Sequence, residues 1–164
     1  MGTVHAEITL KNANDERKAL DGLIKKEDVR AATVQTVVDT GAMSLVITEE
    51  LCQKLGLMVR GEKFARIANG QRVSCKVTEA VEIHWKNRTS IQSAVVIPGA
   101  AEILLGTMPL EDMELMVNPV TQELAGVHGD IEEFMALYLI NNCLYKTAYA
   151  DRAGHALGSW DTQR

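Results

Sequence analysis

Residues 63–85, KFARIANGQRVSCKVTEAVEIHW, limit the fold more than any other stretch of the chain. Val73, Cys75, Val77, Val81, Ile83 and Trp85 keep period two, all on odd-numbered positions, with Glu79 standing between the two halves of the run. That is the period of a strand with one buried face. Asn69-Gly70 separates this run from the alternating run before it. The dipeptide suits a tight hairpin, because both central residues of a type I′ turn need positive φ.

The flanking sequence repeats the theme. Val4, Ala6, Ile8 and Leu10 alternate with polar neighbours, and a second strand over about 32–38 runs into Asp39. Thr48-Glu49-Glu50 opens a short helix over 48–55, with a capping hydroxyl, acids at the positive end and Gly56 at the stop. Lys86-Asn87-Arg88 makes a turn, Ser90 to Ile97 a strand, and Pro98-Gly99 ends it. Ile103-Leu104-Leu105-Gly106 is an apolar run closed by glycine, and Pro109 opens a second short helix. Leu115–Val117, a turn at Asn118-Pro119, and Glu123–Val127 form a closing hairpin. Residues 1–127 therefore read as one mostly β domain, a closed barrel with two short helices. Within it, the charged stretch 11–30 reads as a solvated excursion, a loop or short helix. Residues 128–164 read as an extension. Its apolar spacing over 131–150 predicts a helix that packs or dimerises, and a polar tail follows.

Composition narrows the function. Aromatics are only 4% of the chain, so the core is expected to be aliphatic. A net charge of −5 argues against nucleic acid as the main partner. No apolar run approaches the roughly 18 residues that span a bilayer, and the N-terminus has no signal-peptide pattern. Gly2 lacks the Ser or Thr at position 6 that myristoylation wants; Ala6 stands there. A cytoplasmic protein is expected. Cys52, Cys75 and Cys143 are odd in number and widely spaced, as reduced thiols would be, and the four histidines are scattered. Neither a metal site nor a cofactor is expected, and Ser44 sits in no Gly-x-Ser-x-Gly elbow.

The chemistry concentrates in VVDTGAMSLVI, residues 37–47. A carboxylate at the end of an apolar strand loses hydration unless hydrogen bonds or a second acid compensate. Glycine after it allows close backbone approach. Two apolar residues, Asp39-Thr40-Gly41-Ala42, one variable residue, Ser44 and three apolar residues follow in order. A short helix, a hairpin and VVIPGAAEILLG come next. This order resembles the retropepsin-like (retroviral-type) aspartic protease family, in its bacterial single-domain form, over residues 3–127.

The resemblance implies an aspartic endopeptidase acting on a peptide or protein substrate. Asp39 would be catalytic, and Thr40 would make an interlocking hydroxyl contact across the site floor. Gly41 and Ala42 would let the backbone approach substrate, and Leu104, Leu105 and Gly106 would pack behind the loop. Ile67, Ala68, Asn69, Gly70 and Gln71 would form the tip of a flap. Such chemistry needs two carboxylates around one water, which share a proton because both cannot easily ionise. One takes a proton from water while the other donates to the scissile carbonyl, and the pair titrates as a unit. The chain holds one Asp-Thr-Gly, so this reading requires a two-fold homodimer. The alternatives are a binding or dimerisation module on the same fold, and a plain β scaffold in which Asp-Thr-Gly is a capping turn.

Overall fold

The computed structural model describes residues 3–66, 70–118, 120–127 and 129. β1 (Val4–Asn12) buries Val4, Ala6, Ile8 and Leu10, as its alternation predicts. It pairs antiparallel with β2 (Ala31–Val38), Val4 opposite Val38 and Lys11 opposite Ala31. β3 (Val46–Ile47) follows, then β4 (Val59–Arg66), β5 (Arg72–Trp85), β6 (Arg88–Val96) and β7 (Leu104–Leu105). The sheet order is β1-β2-β7-β3-β6-β5-β4. β1 also pairs with β5, Thr9 opposite His84 through Asn12 opposite Val81, which closes β1, β2, β7, β3, β6 and β5 into a ring. Among the described residues β4 stays outside that ring as an edge strand bonded to β5 alone. β8 (Leu115–Asn118) and β9 (Glu123–Gly126) form a separate two-stranded sheet. The mostly β class expected from the alternation and turns is thus found.

The turns follow their residues. The Ala100 amide donates to Ile97 O at 3.1 Å, with Pro98 and Gly99 between them and Gly99 at φ +74°. Pro first and a positive-φ glycine second is the requirement of a type II turn. Thr48 caps α2 (Glu49–Lys54), its hydroxyl accepting from the Leu51 amide at 3.2 Å. α3 (Thr107–Asp112) begins two residues before Pro109. Proline fits there because amides of the first helical turn have no intrahelical partner. β5 carries a bulge between Val77 and Ala80. The Thr78 hydroxyl sits there, accepting from the Ala94 amide at 3.1 Å and donating to Glu79 O at 2.8 Å.

The core is aliphatic: Ile8, Leu10, Leu45, Ile47, Leu55, Ile83 and Leu105 are fully buried. Cys52 and Cys75 are buried free thiols, and burial pushes the Cys52 thiol up. Cys143 and the helix expected over 131–150 lie outside the described residues. Among the described residues no helix is long and apolar enough to cross a membrane, and no cluster of acids, histidines and cysteines suits a metal ion.

The excursion at 11–30 takes the short-helix alternative, α1 (Ala13–Leu20), which brings the α-helices among the described residues to three, and adds a 3₁₀ turn at Lys26–Asp28; its solvation departs from expectation. Its base is not solvated. Asn12 and Asp15 are buried, and the Arg30 guanidinium grips Asp15 with two bonds, Nε to Oδ2 at 2.6 Å and Nη2 to Oδ1 at 2.9 Å. Asn12 caps α1, accepting from the Asn14 and Asp15 amides. Its amide group donates to Leu55 O at 3.0 Å and reaches Glu79 Oε1 at 3.4 Å. An apolar stripe does not mark this helix, because the residue it buries is a carboxylate.

Candidate active site

The Asp39 loop is held by main-chain hydrogen bonds to the segment around β7. β2 and β7 run parallel, Val37 opposite Leu104 and Val38 opposite Leu105. The Val37 amide donates to Ile103 O at 2.9 Å and the Asp39 amide to Leu105 O at 3.0 Å. β3 returns antiparallel to β7, Val46 opposite Leu104. The chain between β2 and β3 must therefore reverse within a few residues, and Asp39-Thr40-Gly41-Ala42 makes the reversal. The Ala42 amide closes it on Asp39 O at 3.1 Å.

Two glycines make room. Cβ of any other residue at 106 would lie 2.6 Å from Ser44 O and 2.7 Å from both Ala42 O and Ser44 N. All three are backbone atoms with no room to swing away. The Thr107 amide then donates to Ala42 O at 2.9 Å, and the Met108 amide to Met43 O at 2.9 Å. Gly41 lies against the acid itself: its amide donates to Asp39 Oδ1 at 2.8 Å, and a Cβ there would stand 3.1 Å from that oxygen. Among the described residues this amide is the side chain's hydrogen-bond partner. Asp39 is half-buried, so one carboxylate oxygen is fixed by the loop while the group still meets solvent.

The structure brings Asp39, Gly41 and Ala42 together with Leu104, Leu105 and Gly106. Leu105 is fully buried and supplies the carbonyl that holds the Asp39 amide. Thr40 is exposed. Gly70, at φ +83°, and Gln71 lie at the far end of the β4–β5 hairpin, beyond the Arg66–Arg72 pair. Ile67, Ala68 and Asn69, and with them the turn type expected at Asn69-Gly70, lie outside the described residues.

Sequence reasoning missed three participants. Ile103 receives the Val37 amide, Thr107 bonds Ala42 through both amide and hydroxyl (Oγ1 to O, 3.4 Å), and Met108 bonds Met43. Only the glycine at 106 hinted at them, since main-chain bonds leave no mark on residue type. Met43 and Met108 are exposed, one in the loop after Ala42 and one in the first turn of α3.

Chemically, the loop presents one oriented, water-accessible carboxylate. A lone acid can donate or accept one proton. Hydrolysis of an amide by carboxylates alone requires a second acid on the other side of the water.

Comparison with curated proteins finds no match. A family model described as gag-polyprotein putative aspartyl protease matches residues 27–112. The matched segment runs from the end of the α1 excursion through α3 and holds both halves of the stitched loop. As that match spans more than half of the 164 residues, the chain belongs to this aspartyl protease family of retropepsin type.

Proposed function

We propose that the chain is an aspartic endopeptidase acting as a two-fold homodimer, with one Asp39 from each subunit flanking a shared water. The observation that carries this reading is the Asp39 loop. It fixes one carboxylate oxygen through the Gly41 amide and leaves the group open to solvent, in a chain with a single Asp-Thr-Gly. In the dimer one carboxylate accepts a proton from the water as it attacks. The other donates to the carbonyl oxygen. Thr40, exposed in one chain, reaches across the axis to its counterpart loop. Gly41 and Ala42 approach the substrate backbone, Leu104–Gly106 support the floor, and residues 67–71 cover the bound peptide. The substrate is a peptide or protein, and neither metal nor cofactor takes part.

The test is cleavage of a peptide library by the wild-type chain and by Asp39→Asn, with folding followed by circular dichroism. Cleavage should vanish in the variant while the fold persists, and wild-type specific activity should fall on dilution as the dimer dissociates. Undiminished cleavage by the variant would overturn the assignment. A binding or dimerisation module predicts instead that neither protein cleaves.

A further inference from the structure

The β4–β5 hairpin differs in charge from the molecule that carries it. Residues 59–76 hold Arg60, Lys63, Arg66, Arg72 and Lys76 against a single carboxylate, Glu62, in a chain of net charge −5. Two of these cations are occupied. Lys76 Nζ bonds Glu49 Oε1 at 3.0 Å, and the Arg72 guanidinium lies 5.0 Å from the Phe64 ring centre. Arg60, Lys63 and Arg66 form no ion pair among the described residues, and all three are exposed.

They stand on a strand that has, among the described residues, one unpaired side. Among those residues β4 ends the sheet order and pairs with β5 only, so no described strand takes the other row of its main-chain donors and acceptors. Seven of its eight residues are exposed, Phe64 among them. Edge strands with this pattern can add a further strand from another polypeptide, the main chain giving affinity and the side chains selectivity. The cations guard such an edge against copies of itself, because like charges would face each other. The same cations attract an extended segment of opposite charge.

We infer that the β4 edge docks an extended, Asp/Glu-rich segment of the protein substrate, outside the residues that flank the cleaved bond. This rests on the proteolytic reading of the Asp39 site. A nucleic-acid strand suits the edge less well. The chain's net negative charge repels a phosphate polymer, and the hairpin's Phe64 face is already covered by Arg72.

The experiment uses full-length Asp39→Asn protein, which binds without cutting, and fluorescence anisotropy. The probes are an acidic peptide, the same peptide with Gln and Asn at the acidic positions, and a single-stranded oligonucleotide. The acidic peptide should bind about tenfold more tightly than the neutral one, roughly what three screened ion pairs supply together. High salt, or joint replacement of Arg60, Lys63 and Arg66 by Gln, should remove the difference. These three side chains are exposed, so the variant should fold, which circular dichroism checks. Equal binding of both peptides overturns the inference, as does a preference that survives in the triple variant, or tighter binding of the oligonucleotide. A wild-type chain that never cleaves would sink the proteolytic reading and leave the peptide comparison intact.

Discussion

Two corners of the ring are held together by different means. Around Asp39 the contacts are main chain to main chain: Asp39 to Leu105, Thr107 to Ala42, Met108 to Met43. Around Asp15 they are side chains: Arg30 on Asp15, Asn12 on Leu55 O, Glu79 on the Met58 amide at 3.2 Å. The first corner employs its backbone and small residues for cohesion, and so leaves its carboxylate bonded only to the Gly41 amide among the described residues. The second employs its carboxylates for cohesion and has none to spare. The buried acid is thus a structural one, and the acid left for the proposed chemistry is the half-open one. Asp15 is buried and its hydrogen bonds are taken, whereas Asp39 is half-open and holds a single loop amide.

The largest expected effect separates activity from stability. Asp39→Asn should lower peptide cleavage by on the order of a thousandfold or more. Its melting temperature should stay close to wild type, since Asn can still accept from the Gly41 amide. A large drop in melting temperature would show that the acid also holds the loop. Next comes Gly106→Ala. The added Cβ presses on the backbone of residues 42 and 44, so urea unfolding should show a loss of about 2–3 kcal/mol, with activity falling too. A neutral result would mean that the loop pair yields more readily than its bonds suggest.

Asp15→Asn tests the opposite corner. Breaking a buried pair can cost more, but Arg30 is 46% exposed at its side chain, and solvent screening reduces the figure to about 2 kcal/mol. Activity per folded molecule should hardly change. The pH dependence gives a sharper readout. The Arg30 hydrogen bonds hold the Asp15 carboxyl below its ordinary value of 3.8, so the charged form is favoured in the folded state. That stabilisation is complete above the ordinary value and is lost as pH falls through the lower, folded one. The gap between wild type and variant in chemical denaturation should therefore close only below about pH 4. A gap that closes at neutral pH would contradict the pairing. The smallest effect belongs to Thr107→Val. The hydroxyl bond it removes is long, and the Thr107 amide still holds Ala42 O, so the loss should stay below about 0.5–1 kcal/mol. A larger loss would mean that side chains contribute more to this corner than the comparison allows.

The sequence exposes these corners unequally. Gly106, Gly41, the Thr48 cap and the Pro98-Gly99 turn were legible because each is a residue type demanded by local geometry. The alternation of β1 and β5 gave the core faces directly. The Asp15 corner was not legible, because Asn12 and Glu79 are 67 residues apart and Asp15 and Arg30 sit in a stretch that reads as solvent-facing. Period-based reasoning looks for apolar stripes, and a helix that buries its acid has none. The bulge at Thr78 was hidden for a related reason: apolar residues fall on odd-numbered positions both before and after it, and Glu79 between them reads as an ordinary polar interruption.

β5 has a mechanical consequence. Its 14 residues run without a break from the hairpin into the closed ring. At the point where β4 begins, Glu79 and Met58 grip each other, amide to carbonyl at 2.9 Å and amide to carboxylate at 3.2 Å, and Asn12 reaches the same carboxylate. The hairpin is therefore a cantilever with a clamped root. Its free arm along β4, 8 residues, extends about 26 Å. A load on the tip would pass down this beam to the root held by Glu79 and Asn12, apart from the main-chain bonds around Asp39.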